Sequence, residues 1–310
     1  MTYPTDERLA ELTDKLENGI LELYSSGKYA AYLSAMSKFH HYSFGNALLI
    51  LLQCPYASHV AGFTTWKRVF GRNVKKQEKG IQILAPCPRK QYVWREAKDP
   101  ATGNVIQNPD GTAKMETVLI TVPRFKVATV FDISQTEGRE LPSIGVTRLT
   151  GDVEYFSEYY EKLVALSPVA VEIDTVPGEA NGYFSAAEQR IVLRPEMSQI
   201  QTIKTLIHEI AHAKLHDQSD VPPEKRKPRS EKEVEAESIA YVVCQHFGID
   251  TSEYSFGYVA GWSKGKELTE LKESLDCIHT TAGQIIAALD DPGMEHQRSL
   301  SQHTRLEECI

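Results

Sequence analysis

The stretch Leu206-Ile207-His208-Glu209-Ile210-Ala211-His212-Ala213 decides how the C-terminal half of this chain is read. It sets His-Glu-x-x-His in an apolar helical run. Residues four apart stack on one face of a helix, so His208 and His212 present both imidazoles in one direction and can share a metal ion. Glu209 follows the first imidazole, where its carboxylate can take a proton from a water attacking a carbonyl. The motif fixes three of five positions and also occurs by chance in unrelated helices, so its surroundings must support it.

They do. A catalytic zinc needs a third protein ligand and an open position. Downstream of a polar loop, Gln218 to Ser230, runs Glu231-Lys232-Glu233-Val234-Glu235-Ala236-Glu237, a second helix rich in carboxylates. Glu233 and Glu237 share a helical face, and Glu235 points elsewhere. We assign Glu233 as third ligand of one Zn2+ ion and Glu237 to a hydrogen bond orienting a ligand histidine, with Glu235 as the alternative ligand. The helix dipole by itself accounts for Glu231 in the first turn. His216 extends the four-residue series, but imidazoles at 208, 212 and 216 would spread over about 12 Å of helix, so it reads as a helix-end histidine. No Gly-x-x-His follows His212 as a metzincin requires. Tyr183 and Tyr241 are both candidates for stabilising an oxyanion.

The rest of the 310 residues bounds this reading. Hydrophobic residues make up 41% and charged residues 25%, the composition of a globular protein rather than a disordered or fibrous one. The length favours two domains over one. Ala47 to Leu52, the longest apolar run, is far shorter than the roughly 20 residues of a membrane span, and the N-terminus lacks a signal-peptide pattern, so a cytoplasmic location without a membrane partner is expected. Cys54, Cys87, Cys244, Cys277 and Cys309 are scattered, with no Cys-x-x-Cys pair, and read as free thiols. Charge divides unevenly: residues 1–136 hold 17 Lys and Arg against 12 Asp and Glu, and the remainder 17 against 30. Such asymmetry points to a nucleic-acid-facing N-terminal half.

The pattern of apolar positions predicts an α+β protein with a helical start, a small β-sheet and then a domain built around the metal-binding helix. Leu9, Leu12, Leu16, Ile20 and Leu23 give a first helix broken at Gly27; further helices cover Tyr29 to Phe39 and Asn46 to Gln53. Strands are expected at Ile81–Ala85, Gln91–Arg95, Thr117–Thr121 and Phe125–Phe131, with a long hairpin loop from Asp99 to Thr112. Residues 138–151 are read as a linker between a domain over 1–137 and another over 152–292, and 293–310 as a polar tail. The second domain is expected to open with a helix through Tyr155 to Leu166, followed by strands at Val169–Ile173 and Arg190–Leu193. Helices are expected over Glu253–Trp262 and Glu267–Leu289. Between Trp66 and Lys98 ten Lys and Arg interleave with Trp66, Phe70, Tyr92 and Trp94. Cations can follow a phosphate backbone while aromatic faces stack on unpaired bases. Trp66, Lys67, Arg72, Lys75, Lys76 and Lys79 are the candidate contacts.

The segment from Asp174 to Cys244, with Ile207-His208-Glu209-Ile210-Ala211-His212 and Glu233-Val234-Glu235-Ala236-Glu237-Ser238-Ile239-Ala240, resembles the ImmA/IrrE-like zinc metallopeptidases. The resemblance implies a zincin-like domain with His208, His212 and Glu233 as ligands and Glu209 as base; Glu237 stands where that family often has Asn or Asp. Tyr42-Ser43-Phe44-Gly45-Asn46, Val60-Ala61-Gly62-Phe63-Thr64-Thr65-Trp66, Val74 to Ile81 and Phe131-Asp132-Ile133-Ser134-Gln135-Thr136 resemble the single-stranded-DNA-binding domain of ArdC-type antirestriction proteins. In that family this domain precedes a metallopeptidase domain, the order found here, and the chain most resembles the LtrC-like proteins of Gram-positive conjugative elements. The resemblances imply a single-stranded-DNA-binding metallopeptidase acting on an unidentified protein or peptide. The competing expectation is a DNA-protecting protein whose zinc site is structural or no longer proteolytic.

Overall fold

The computed structural model describes residues 4–25, 27–141, 153–217, 221–222, 225–249, 251, 254, 256–257 and 259–290. The chain opens with α1 (Pro4–Ser25), α2 (Tyr29–Lys38) and α3 (Phe44–Gln53). Leu12, Leu16, Ile20 and Leu23 form the buried stripe of α1, as their three- and four-residue spacing predicts. Gly27, at φ +71°, breaks the chain between α1 and α2 in a conformation that side chains disfavour. Ser43 caps α3 by accepting from the Asn46 backbone N–H.

Next come β1 (Val60–Gly62), α4 (Phe63–Arg68), β2 (Arg72–Val74), β3 (Ile81–Pro86), β4 (Arg89–Glu96), β5 (Met115–Val122), β6 (Phe125–Asp132), a short 3-10 turn (Ile133–Gln135) and β7 (Thr136–Gly138). β1, β6 and β3 form an antiparallel sheet in that order, which leaves β3 as an edge. Two amide side chains of α3 cover that edge. Asn46 both donates to Leu84 O (2.9 Å) and accepts from Leu84 N (2.8 Å), and Gln53 does the same to Gln82 (2.8 and 3.0 Å). An edge strand whose polar groups are satisfied this way cannot recruit another strand there. Asp132 locks the far end: its buried carboxylate accepts from the backbone N–H groups of Ser58, His59 and Ser134 and from the Ser134 hydroxyl.

Among the described residues β4 and β5 pair only with each other, as a long hairpin. The expected loop from Asp99 to Thr112 is more ordered than its composition suggests. Isolated bridges join Lys98 to Val105 and Gln107 to Ala113, and Asp99 and Asp110 each close a local turn on following N–H groups.

The C-terminal half contains α5 (Val153–Leu166), β8 (Ala170–Ile173), β9 (Gly182–Ser185), β10 (Arg190–Leu193), α6 (Gln199–Leu215), α7 (Arg229–His246), α8 (Val259–Trp262) and α9 (Leu268–Asp290). The sheet order is β8-β10-β9, with β8 parallel and β9 antiparallel to the central β10. β9 reaches α6 closely through Gly182, where a Cβ would meet Thr205 and the Val192 carbonyl at 2.8 and 2.9 Å.

Three expectations change. The expected linker is not a spacer throughout, because its first residue, Gly138, belongs to β7 paired with β2; residues 142–151 and the expected tail lie outside the described residues. The helix expected over Glu253–Trp262 shortens to Val259–Trp262, with 252, 253, 255 and 258 outside the described residues. The halves also do not keep separate cores. Tyr29, Tyr32, Leu33 and Met36 of α2 share one continuous apolar cluster with Ile239, Ala240 and Val243 of α7 and Leu275, Ile278 and Ile286 of α9. Tyr29 Oη lies 3.0 Å from Ser238 Oγ across this junction, and Lys272 of α9 pairs with Glu17 of α1 at 2.7 Å. Each fully buried side chain of this kind contributes about 1.5–3 kcal/mol, so α2 supplies much of what keeps α7 dry.

Candidate metal centre

α6 brings the two imidazoles together. Ser198 caps the helix by accepting from Gln201 N–H, and Leu206, Ile207, Ile210 and Ala211 bury its apolar side. His208 and His212 are left facing a cleft of about 750 Å³, and α7 crosses beside them carrying Glu233. The Nε2 atoms of His208 and His212 are 3.0 Å apart, and Glu233 Oε2 lies 3.6 and 3.7 Å from them. A circle through three atoms so spaced has a radius of about 2.0 Å, matching the roughly 2.0–2.2 Å bonds that nitrogen and carboxylate ligands make to zinc. The residues therefore fit a divalent cation, and the cleft leaves a side open to a substrate.

The electrostatics of the bare site agree. The facing imidazoles of His208 and His212 hold the Glu233 carboxyl well below the ordinary carboxylate range. Burial pulls both imidazoles down; at His208 the Glu233 hydrogen bond and the charges of Glu209, Glu233 and Glu237 outweigh it and the net shift is upward, whereas His212 stays lowered. Glu209 is buried, which raises its carboxyl despite the His208 charge and the Phe184 backbone N–H that favour the anion.

A chain of hydrogen bonds behind His212 differs from what the sequence predicts. His212 Nδ1 lies 2.8 Å from His216 Nδ1, His216 Nε2 lies 2.9 Å from Glu235 Oε2, and Lys227 Nζ sits 2.6 and 2.9 Å from the two Glu235 oxygens. The partners fix the protons. Glu235 can only accept, so His216 donates from Nε2 and accepts at Nδ1; His212 then donates from Nδ1 and keeps its Nε2 lone pair for the cleft. Burial lowers His216, so it stays neutral as this chain requires; burial would raise Glu235, but hydrogen bonds from His216 and Lys227 outweigh it and keep it charged. Glu235 therefore faces away from the cleft, and its place as alternative ligand is corrected. His216, read from sequence as a helix-end histidine, has both ring nitrogens engaged, by His212 and by Glu235, and so does more than end a helix. The signal was present: His212 and His216 are four apart, the same spacing that brings His208 to His212.

Other expected residues divide. Glu237 lines the cleft, as does Tyr183. Tyr241 does not; its ring packs against Tyr254 and Phe256 in the apolar core. Tyr254, which the sequence did not single out, lines the cleft, as does the edge strand β9.

In the N-terminal half, Trp66 is corrected outright. It is 1% exposed, and its Nε1 donates to Phe131 O at 2.8 Å, so no base can reach its face. Arg72 spends its guanidinium on Thr136 and on the carbonyls of Gly138 and Arg139, tying β2 to β7. Lys75 donates to Ser134 O at 2.8 Å while remaining exposed; Lys67, Lys76 and Lys79 are exposed. The open aromatics are elsewhere. Along β4 and β5 alternate residues face opposite ways, and Lys90, Tyr92, Trp94, Thr117, Leu119 and Thr121 make the exposed face while Val93, Val118 and Ile120 are half-buried. Tyr92 is 71% and Trp94 74% exposed.

A helix bearing His-Glu-x-x-His, crossed by a second helix that brings a carboxylate to both imidazoles and flanked by a β-strand edge, defines a metallopeptidase-like domain. Residues 170–253 match the IrrE N-terminal-like domain, and residues 5–131 match the N-terminal domain of anti-restriction factor ArdC. The chain thus carries, in this order, a region that matches the ArdC N-terminal domain and a region that matches the IrrE-like domain. The Mn(II)-bound crystal structure of the antirestriction ArdC protein from plasmid R388 is similar in fold, with TM-score 0.52 and 18% identity over 90% of this chain and 96% of that one. The metal-free structure of that protein gives TM-score 0.46 and 21% identity over 79% and 82%. An uncharacterized protein of Bacillus anthracis is 30% identical over 94% of this chain and 53% of its own length, so this chain spans about half of that relative. Among the described residues no helix is long and apolar enough to cross a membrane, and Cys54, Cys87, Cys244 and Cys277 are free.

Proposed function

We propose that this protein is a zinc-dependent peptidase, with His208, His212 and Glu233 holding one Zn2+ ion and Glu209 serving as its base. The observation that carries this is the convergence of those three side chains on one point within bonding distance of all of them. Two imidazoles and one carboxylate suit zinc and also admit manganese, the ion named for the similar ArdC structure. When bound, the ion supplies Lewis acidity, polarising a carbonyl and acidifying water. Glu209, raised by burial, accepts a proton from the attacking water and returns it to the departing amine. β9 ends its sheet along the cleft, and an extended peptide laid against that strand would gain backbone hydrogen bonds and bring its carbonyl towards Glu209. Tyr183, on the same strand, is the nearer candidate for the oxyanion.

The test is cleavage of a quenched fluorescent peptide library by the purified full chain, with metal content measured alongside. Glu209→Gln is expected to keep its metal and lose about 10²–10⁴ of the turnover. Equal turnover in the variant would contradict the assignment.

The N-terminal domain supports a second activity, binding of single-stranded DNA. The β4–β5 hairpin offers two exposed aromatic rings on one face beside Lys90, which is the arrangement that stacks on unpaired bases.

A further inference from the structure

We propose that His40, His246 and Asp290 form a second divalent-metal site, which ties the N-terminal helices to the metallopeptidase-like domain. His40 lies in the turn after α2, His246 is the last residue of α7 and Asp290 the last of α9. One ligand atom from each lies within 4.8 Å of the others. The site is separate from the first one. Glu233 and His246 stand at opposite ends of α7, about 20 Å apart along its axis.

Hydrogen bonding shows why a cation belongs there. Ser37 O is contacted by Nδ1 of His40 at 3.2 Å and by Nδ1 of His246 at 3.1 Å. A carbonyl only accepts, so both rings carry their proton on Nδ1 and turn an Nε2 lone pair outward. A backbone carbonyl holding the second nitrogen is the usual support of a metal-binding histidine. The rings stand nearly perpendicular, 4.7 Å between centroids, and His246 Nε2 is 3.1 Å from Asp290 Oδ2. In the neutral Nδ1–H tautomer that contact faces one acceptor with another, and a cation between them would satisfy both.

The backbone favours positive charge at the same place. α2 and α7 end here, and helix C-termini carry partial negative charge. Two imidazoles and a carboxylate are donors for a first-row divalent ion rather than for calcium or magnesium. The ion would bridge α2 to α7 and α9, the junction already joined by Tyr29 and Ser238.

This inference does not rest on the hydrolytic reading, and one series of full-length variants separates the two. Each protein is equilibrated with Zn(II) alone, passed through a desalting column and assayed for bound zinc, with circular dichroism to establish folding. Wild type is expected to hold two equivalents, His208→Ala/His212→Ala one, His40→Gln/Asp290→Asn one, and the four-fold variant none. Zinc should raise the Tm of His208→Ala/His212→Ala and leave that of the four-fold variant unchanged. If His208→Ala/His212→Ala does not fold, the drop from two to one on His40→Gln/Asp290→Asn carries the test. Retention of one equivalent by a folded four-fold variant, or a single equivalent in wild type that His40→Gln/Asp290→Asn does not alter, would overturn the second site. The second result would leave the first site standing.

Discussion

His216 and Glu235 meet between α6 and α7 with 2.9 Å between Nε2 and Oε2, and both side chains are almost wholly buried. Glu235 does not line the cleft and His216 reaches only its margin, yet together they determine which nitrogen His212 offers to it. Glu235→Gln is therefore expected to weaken zinc affinity by about 10–100-fold while leaving the three ligands in place. Competition against a fluorescent zinc chelator, done with the His40→Gln/Asp290→Asn background to isolate this site, measures the change. Affinity equal to the parent would show that the chain does not orient His212.

Asp132 makes the N-terminal domain sensitive to acid. Burial would raise its carboxyl, but hydrogen bonds from Ser134, Ser58 and His59 outweigh that and hold it below its ordinary value. Its contribution is present in full above the unfolded carboxylate value of about 3.9 and is lost as pH falls through the lower folded value. Asp132→Ala leaves several N–H donors unpartnered and is expected to cost on the order of 1–3 kcal/mol at neutral pH. Urea melts at pH 7 and pH 3 test this; a difference between the proteins that fails to narrow at pH 3 would exclude the carboxylate as its source.

The two tryptophans at positions 66 and 94 should behave in opposite ways. Trp94→Ala removes an exposed ring and is expected to weaken binding of single-stranded oligonucleotides by about 1–3 kcal/mol without changing Tm. Trp66→Ala empties a buried site and is expected to destabilise the fold by about 3–5 kcal/mol. Fluorescence anisotropy with a labelled oligonucleotide, alongside thermal melts, distinguishes them. Unchanged binding by Trp94→Ala and Tyr92→Ala together would remove the hairpin from the DNA surface.

Because α2 completes the core around α7, heat should unfold both halves in one transition. Met36→Ala, in the middle of that shared cluster, is expected to cost about 2–5 kcal/mol and to lower the temperature at which zinc is released along with the N-terminal signal. Calorimetry showing two separate transitions, only one of them moved by Met36→Ala, would mean the halves fold independently.

Local pattern revealed much of this. Arg190–Leu193 and the helix around His208 lie where their apolar spacing predicts, because each element buries a continuous run or stripe. Gly182–Ser185 was hidden, since all four of its residues are only half-buried and its strand character comes from pairing with β10. The basic and aromatic stretch is legible as a group, but composition cannot tell an inward ring from an outward one. Trp66 turns in because its helix α4 packs under β6, whereas Tyr92 and Trp94 alternate outward on a hairpin with no covering layer. Likewise Glu233, Glu235 and Glu237 differ little as letters. Only the crossing of α7 over α6 gives the first to the cleft and the second to His216.

Anomalous diffraction from crystals of the full chain grown with Zn(II), recorded on both sides of the zinc edge, tests the central assignment most directly. The account predicts a peak about 2.0–2.2 Å from His208 Nε2, His212 Nε2 and a Glu233 carboxylate oxygen, with the Glu209 carboxylate beside it and unbound. Absence of a peak there, or a peak bound by Glu235 instead of Glu233, would contradict it.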